Sequence, residues 1–176
     1  MQFNFTTAKM RYSITDDGRN AEFTDLYTGN NFIVDGYCAR LLDRNKKVHY
    51  PVRVNYDAPK LTVYFDNGIS ETILVEEKKD YITFTLESVS SEDFHSMTIV
   101  NIEVNIDYEA EEQEFIASLM AMTLSTRMEE HPGKNTLLRA EVFPHIGLLK
   151  TKISKYPVKA AVLASDDRTI YDVMKS

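Results

Sequence analysis

Residues 60–89 read KLTVYFDNGISETILVEEKKDYITFTLESV, and apolar and polar side chains alternate along them almost without a break. Successive side chains of a strand point to opposite faces, so a period of two means one buried and one wetted face. Leu61, Val63 and Phe65 share a face, and Asp66, Asn67 and Gly68 supply the turn chemistry of a tight hairpin. Ile69, Ile73 and Val75 continue the pattern; a polar turn at 76–80 follows, and then Ile82, Phe84 and Leu86 alternate with Tyr81, Thr83 and Thr85. The stretch is predicted to be a three-stranded antiparallel meander, with Val63, Phe65, Ile73, Ile82, Phe84 and Leu86 in the core between two packed sheets.

Working outward, strand-like runs recur at short spacing. Lys9 to Ile14 and Ala21 to Tyr27 flank an Asp16, Asp17, Gly18 turn; Asn31 to Leu42 and Lys47 to Tyr56 follow, and Met97 to Ile106 comes after a polar loop. Leu137 to Phe143 and Val158 to Ala164 continue the series beyond a His131, Pro132, Gly133 turn. Short strands separated by turn residues predict a mostly β, antiparallel two-sheet sandwich, and not alternating βα units. The stretch 108–128 has helix-forming composition, yet its apolar residues also alternate. At the end, SDDRTIYDVMKS predicts a short C-terminal helix capped at Ser165, with Ile170, Val173 and Met174 on one face.

The chain has 176 residues, 43% of them hydrophobic, which suits one core and hence a single module over 1–176. A formal net charge of −7, with no basic cluster, opposes nucleic-acid binding. No apolar run approaches the roughly 20 residues of a membrane helix, and the first ten residues lack signal-peptide order. The single cysteine, Cys38, excludes an internal disulfide and a multi-cysteine metal site, and reads as a half-buried strand residue.

No residues nominate a catalytic, metal or cofactor site. His49, His95, His131 and His145 are scattered, with no pair spaced for zinc. The acidic pairs Asp16/Asp17, Glu76/Glu77 and Glu129/Glu130 and the run Glu109, Glu111, Glu112, Glu114 read as turns and solvated edges. The six glycines form no phosphate-binding motif or nucleophile elbow. In the meander, Asp66, Glu71, Glu76, Glu77, Asp80 and Glu87 are expected to be exposed and ionised, whereas a glycosidase holds two carboxyls about 5–10 Å apart, one with a raised pKa. Tyr12, Tyr27, Tyr64 and Tyr81 fall on polar strand faces and could form a sugar-binding platform or merely cover the sheet.

The runs GYCARLLDRNKKVHYPVRV, APKLTVYFDNGISETILVEEKKDYITFTLESVSSEDFHSMTIVNIEVNI and LLRAEVFPHIGLLKTKISKYPVKAAVLASDDRTIYDVMKS together resemble the N-terminal β-sandwich modules of large secreted bacterial glycoside hydrolases and related polysaccharide-degrading enzymes. Those modules look like the galactose-mutarotase-type supersandwich. The resemblance covers roughly Asn31 to Ser176 and carries no catalytic motif onto a named position. It implies a periplasmic or secreted accessory module preceding a catalytic domain in the same polypeptide, with residues 115–124 extended. The alternatives are a carbohydrate-binding module holding a glycan, and a free-standing mutarotase-like enzyme. The expectation is that the meander is scaffold and that the chain alone hydrolyses nothing.

Overall fold

A computed structural model describes residues 1–107, 115–131, 134–144 and 158–165. Every element among them is a strand, fourteen in all. In chain order these are β1 (Gln2–Thr6), β2 (Met10–Thr15), β3 (Asn20–Asp25), β4 (Leu41–Leu42), β5 (Val48–His49), β6 (Pro51–Asp57) and β7 (Lys60–Phe65). There follow β8 (Ser70–Glu77), β9 (Tyr81–Val89), β10 (Ser96–Val104), β11 (Ile116–Ala121), β12 (Arg127–His131), β13 (Thr136–Val142) and β14 (Val158–Ser165). They form three antiparallel sheets: β1-β2-β3, β12-β13-β10-β4-β5 and β11-β14-β9-β8-β7-β6.

The meander is β7, β8 and β9, in the expected register: Leu61 lies opposite Ile73, and Val75 opposite Phe84. Val63, Phe65, Ile73, Ile82, Phe84 and Leu86 are all buried. Gly68 takes φ +85° at the hairpin tip, a conformation that side-chain-bearing residues rarely adopt. Side chains from all three sheets pool into one hydrophobic cluster. Its aromatic members interlock, Phe5 and Tyr12 of the first sheet each meeting Phe84 edge-on with centroids 6.3 Å apart. Residues 116–121 are extended, as the alternation of Ala117 and Leu119 inward requires; 122–124 lie in the irregular connection that follows.

Three expectations need correction. Residues 31–42 are not one strand: apart from Leu41–Leu42 they make only isolated bridges. The Asn31 side chain competes with a ladder by accepting the backbone N–H groups of Phe23 and Ile33. Cys38 is therefore in a loop, and it is buried. The run 47–56 is two strands in two different sheets, divided at Tyr50. Strands β1 and β12 had no sequence-based expectation. The proposed C-terminal helix lies outside the described residues beyond Ser165, which ends β14. No described helix is long and apolar enough to cross a membrane.

Candidate functional site

The chain passes between the edges of the two larger sheets at two places, and both are exposed. The first is Tyr50, between β5 and β6. Pro51 follows it, and β6 then carries a bulge: Pro51 lies opposite Phe65 and Arg53 opposite Tyr64, leaving Val52 extra. Bulges at sheet edges re-aim side chains, and here Tyr50 is 43% and Val52 58% exposed. The Tyr50 ring stacks on Tyr37 with centroids 4.7 Å apart and planes 24° from parallel. The Arg19 guanidinium lies 4.4 Å from the Tyr37 centroid and is held on Asp35 at 3.0 and 3.2 Å. Next along the same edge, Arg53 covers Tyr64 at 4.1 Å.

Behind this stack, His49 is buried between two carboxylates. Its Nδ1 is 2.5 Å from Asp66 Oδ1 and its Nε2 is 3.3 Å from Asp43 Oδ2. The Lys47 backbone N–H, assisted by His49, holds the Asp43 carboxyl below its ordinary range. Both ring nitrogens are engaged by carboxylates, so the arrangement works as a clip between them. It ties the turns at 43–47 and 66–68 to the end of β5.

The second crossing is residues 122–126, between β11 and β12. It is held on β14: Met122 N donates to the Lys159 carbonyl at 2.9 Å, and Lys159 N donates to the hydroxyls of Thr123 and Thr126 at 3.1 Å each. Those bonds fix the backbone and leave the apolar side chains outward. Met120 (37%), Met122 (43%), Leu124 (109%) and Met128 (38%) are four of the exposed large hydrophobics among the described residues, and all sit at this one edge.

The acidic pairs do not converge. Asp16 meets the N-terminus at 2.9 Å, whereas Asp17 accepts from Thr15, a bond that lowers its carboxyl pKa. Glu76 binds Lys78 at 3.2 Å and Thr83 at 3.2 Å, while Glu77 accepts the Thr6 N–H. Glu129 pairs with Arg139 at 2.8 Å; the side chains of Glu130 and His131, and the whole of 109–114 and His145, lie outside what is described. His95 is exposed and meets the Phe143 ring edge-on. No three described His, Cys, Asp or Glu residues are grouped to hold a metal ion.

The Tyr12, Tyr27, Tyr64, Tyr81 platform is not assembled. Tyr12 is buried on the same strand parity as Met10 and Ile14, and it donates its hydroxyl to Asn20 at 2.6 Å. Tyr27 is 96% exposed in a turn, and Tyr81 packs against Leu163. Tyr37 and Tyr50 form the stacked pair instead.

Glu71 contradicts the expectation of an exposed, ionised carboxylate. It is 1% exposed, facing inward with Ile73 and Val75, and neither carboxylate oxygen has a hydrogen-bond partner. Burial pushes its carboxyl pKa well up. It lies close enough to Cys38 for its charge to add to the burial that raises the thiol pKa. Cys38 also lines a small core cavity, with Tyr12, Val63, Phe84 and Ile102, that has room for about one water molecule. A protonated carboxyl is a possible general acid in chemical terms, but this one is sealed in the core, away from any substrate. Compared with known proteins, the chain matches no family model and no curated protein.

Proposed function

We propose that the chain is a non-catalytic accessory module of a secreted or periplasmic bacterial glycan-degrading enzyme, a supersandwich-like β-sandwich that packs against a catalytic domain of the same polypeptide. The reading draws on the resemblance of its sequence runs to such modules and on the all-strand architecture of its described residues. The observation that carries it is the edge at the second crossing, where Met120, Met122, Leu124 and Met128 are exposed together while the backbone beneath is pinned to Lys159. Methionine side chains are unbranched, polarizable and adaptable, and they are enriched where protein surfaces meet. Among the described residues, Asp16, Asp17, Glu76 and Glu129 near the surface are held in turns or ion pairs, and Glu71, whose pKa burial raises, lies in the core.

The test uses the gene product as it occurs in its source. A polypeptide joining this module to a glycan-hydrolysing domain, with residues 1–176 alone inactive on aryl glycosides and polysaccharides, supports the reading. Turnover by residues 1–176 alone, abolished by Glu71→Gln or Asp66→Asn, overturns it.

A further inference from the structure

We propose that the outer face of Tyr50 is a binding site for a pyranose ring of a neutral glycan, with Val52 beside it and Asp66 accepting a sugar hydroxyl. The stack itself selects the ring. Tyr37 has Arg19 at 4.4 Å and Tyr50 at 4.7 Å from its ring centroid. Tyr37 is half-buried whereas Tyr50 is 43% exposed, so the ring of the stack that a ligand can reach is Tyr50.

The backbone that carries the ring is held before any ligand arrives, and the ring itself rests on Tyr37. The Tyr37 carbonyl accepts the Asn101 side-chain amide at 2.7 Å, and the Tyr50 carbonyl accepts the Asp66 N–H at 3.1 Å. Pro51 is seated against the Gly18 turn so closely that a Cβ on Gly18 would lie 2.3 Å from the Pro51 Cβ. Asp16 accepts the Val54 N–H at 2.7 Å from the same turn. A preset ring loses little freedom on binding, which favours a weak stacking ligand.

The chemistry around the ring narrows the ligand. A tyrosine face is electron-rich and packs against the C–H-rich face of a pyranose. Asp66 places Oδ1 on His49, and its side chain is 48% exposed, so Oδ2 is available to a hydroxyl. A cation is disfavoured because the stack already carries the Arg19 guanidinium, with Arg53 on the neighbouring ring. A nucleic-acid strand is disfavoured by the net charge of −7. The site lies on the edge opposite the methionines, so its failure would leave the docking reading standing.

The test is affinity electrophoresis of the purified chain in native gels cast with soluble mannan, xyloglucan, mixed-linkage glucan or galactan. The expected result is retardation by at least one of them. Tyr50→Ala and Val52→Glu should weaken that binding about tenfold or more, roughly the 1.4 kcal/mol of one lost stacking surface, with unchanged circular dichroism. Tyr27→Ala, which removes an exposed ring elsewhere, should bind as the parent does. Retardation by none of the four, equal retardation of Tyr50→Ala and the parent, or binding only of an adenosine or tetramethylammonium probe in parallel titrations would overturn the proposal.

Discussion

The two outer strands of the six-stranded sheet solve the same problem differently. Along the β6 edge the rings are piled on or under other groups: Tyr50 on Tyr37, Tyr37 under Arg19, and Tyr64 of the neighbouring β7 under Arg53. A proline and a bulge interrupt the strand, and both features discourage pairing with a foreign strand. At β11, the crossing beyond it and the adjoining start of β12, the outward groups are three methionines and a leucine, and the crossing's backbone is pinned from beneath. Rigid, amphipathic rings suit a small ligand of fixed shape. Flexible thioethers suit a protein surface, which they can follow as it varies. The placement of each edge follows from chain path, since both lie where the chain leaves one sheet for another.

The largest effect is expected from breaking the seat of β6. Gly18 has φ +84° and no room for a side chain over Pro51, whereas Gly68 has φ +85° and open space around it. Gly18→Ala should cost at least about 3 kcal/mol, combining backbone strain and overpacking, and Gly68→Ala about 1 kcal/mol. Urea unfolding of the two variants measures the difference directly. Equal losses would mean that the turn at 16–18 does not brace the aromatic edge.

A second expectation concerns Glu71, two strands in from that edge. Its folded pKa lies above its unfolded value, so between the two the folded state holds more protons. Stability therefore falls as pH rises through that window and is greatest at or below the ordinary carboxylate range. Tyr12 and Cys38, whose pKa values burial raises, stay neutral throughout it. Asp17, Asp43 and Glu76 have lowered values and contribute the opposite slope. Comparing Glu71→Gln with the parent isolates the term: the variant should gain on the parent steadily as unfolding midpoints are taken from pH 4.5 to pH 8. Parallel curves would show that Glu71 is solvated or partnered in solution.

Burial also makes the Cys38 thiol inert, so iodoacetamide should label it only after unfolding, a result checked by mass spectrometry with and without urea. The smallest effect belongs to the methionine edge. Met122→Ser with Leu124→Ser should move stability by no more than about 0.5 kcal/mol, because neither side chain is committed to the core. A large loss would mean that this edge is part of the fold.

The meander was legible because its alternation agrees with burial at Leu61, Val63, Phe65, Ile73, Val75, Ile82, Phe84 and Leu86. The same parity places Glu71 inside, but its charge suggested solvent, and the reading followed the charge. Tyr12 likewise shares the buried parity of Met10 and Ile14, but its hydroxyl suggested solvent, a role that the Asn20 side chain fills inside the core. Residues 31–42 looked like a strand by composition, yet the side-chain bonds of Asn31 and the contacts of Gly36 and Cys38 with the β3 region bend them across the sheet ends. The stack of Tyr37 on Tyr50 depends on that path and on the switch of sheets before Pro51. Neither leaves a local pattern, so the candidate site could not be read from spacing.

The docking claim is tested most directly by methionine oxidation with dilute hydrogen peroxide, read residue by residue by mass spectrometry. Two samples are compared: the isolated chain and the gene product from its natural source. In the isolated chain Met120, Met122 and Met128 should oxidise readily, as should Met1, while Met10 and Met97, both 0% exposed, should resist. In the natural product the account predicts protection of Met120, Met122 and Met128. Oxidation of these three at the same rate in both samples would contradict it.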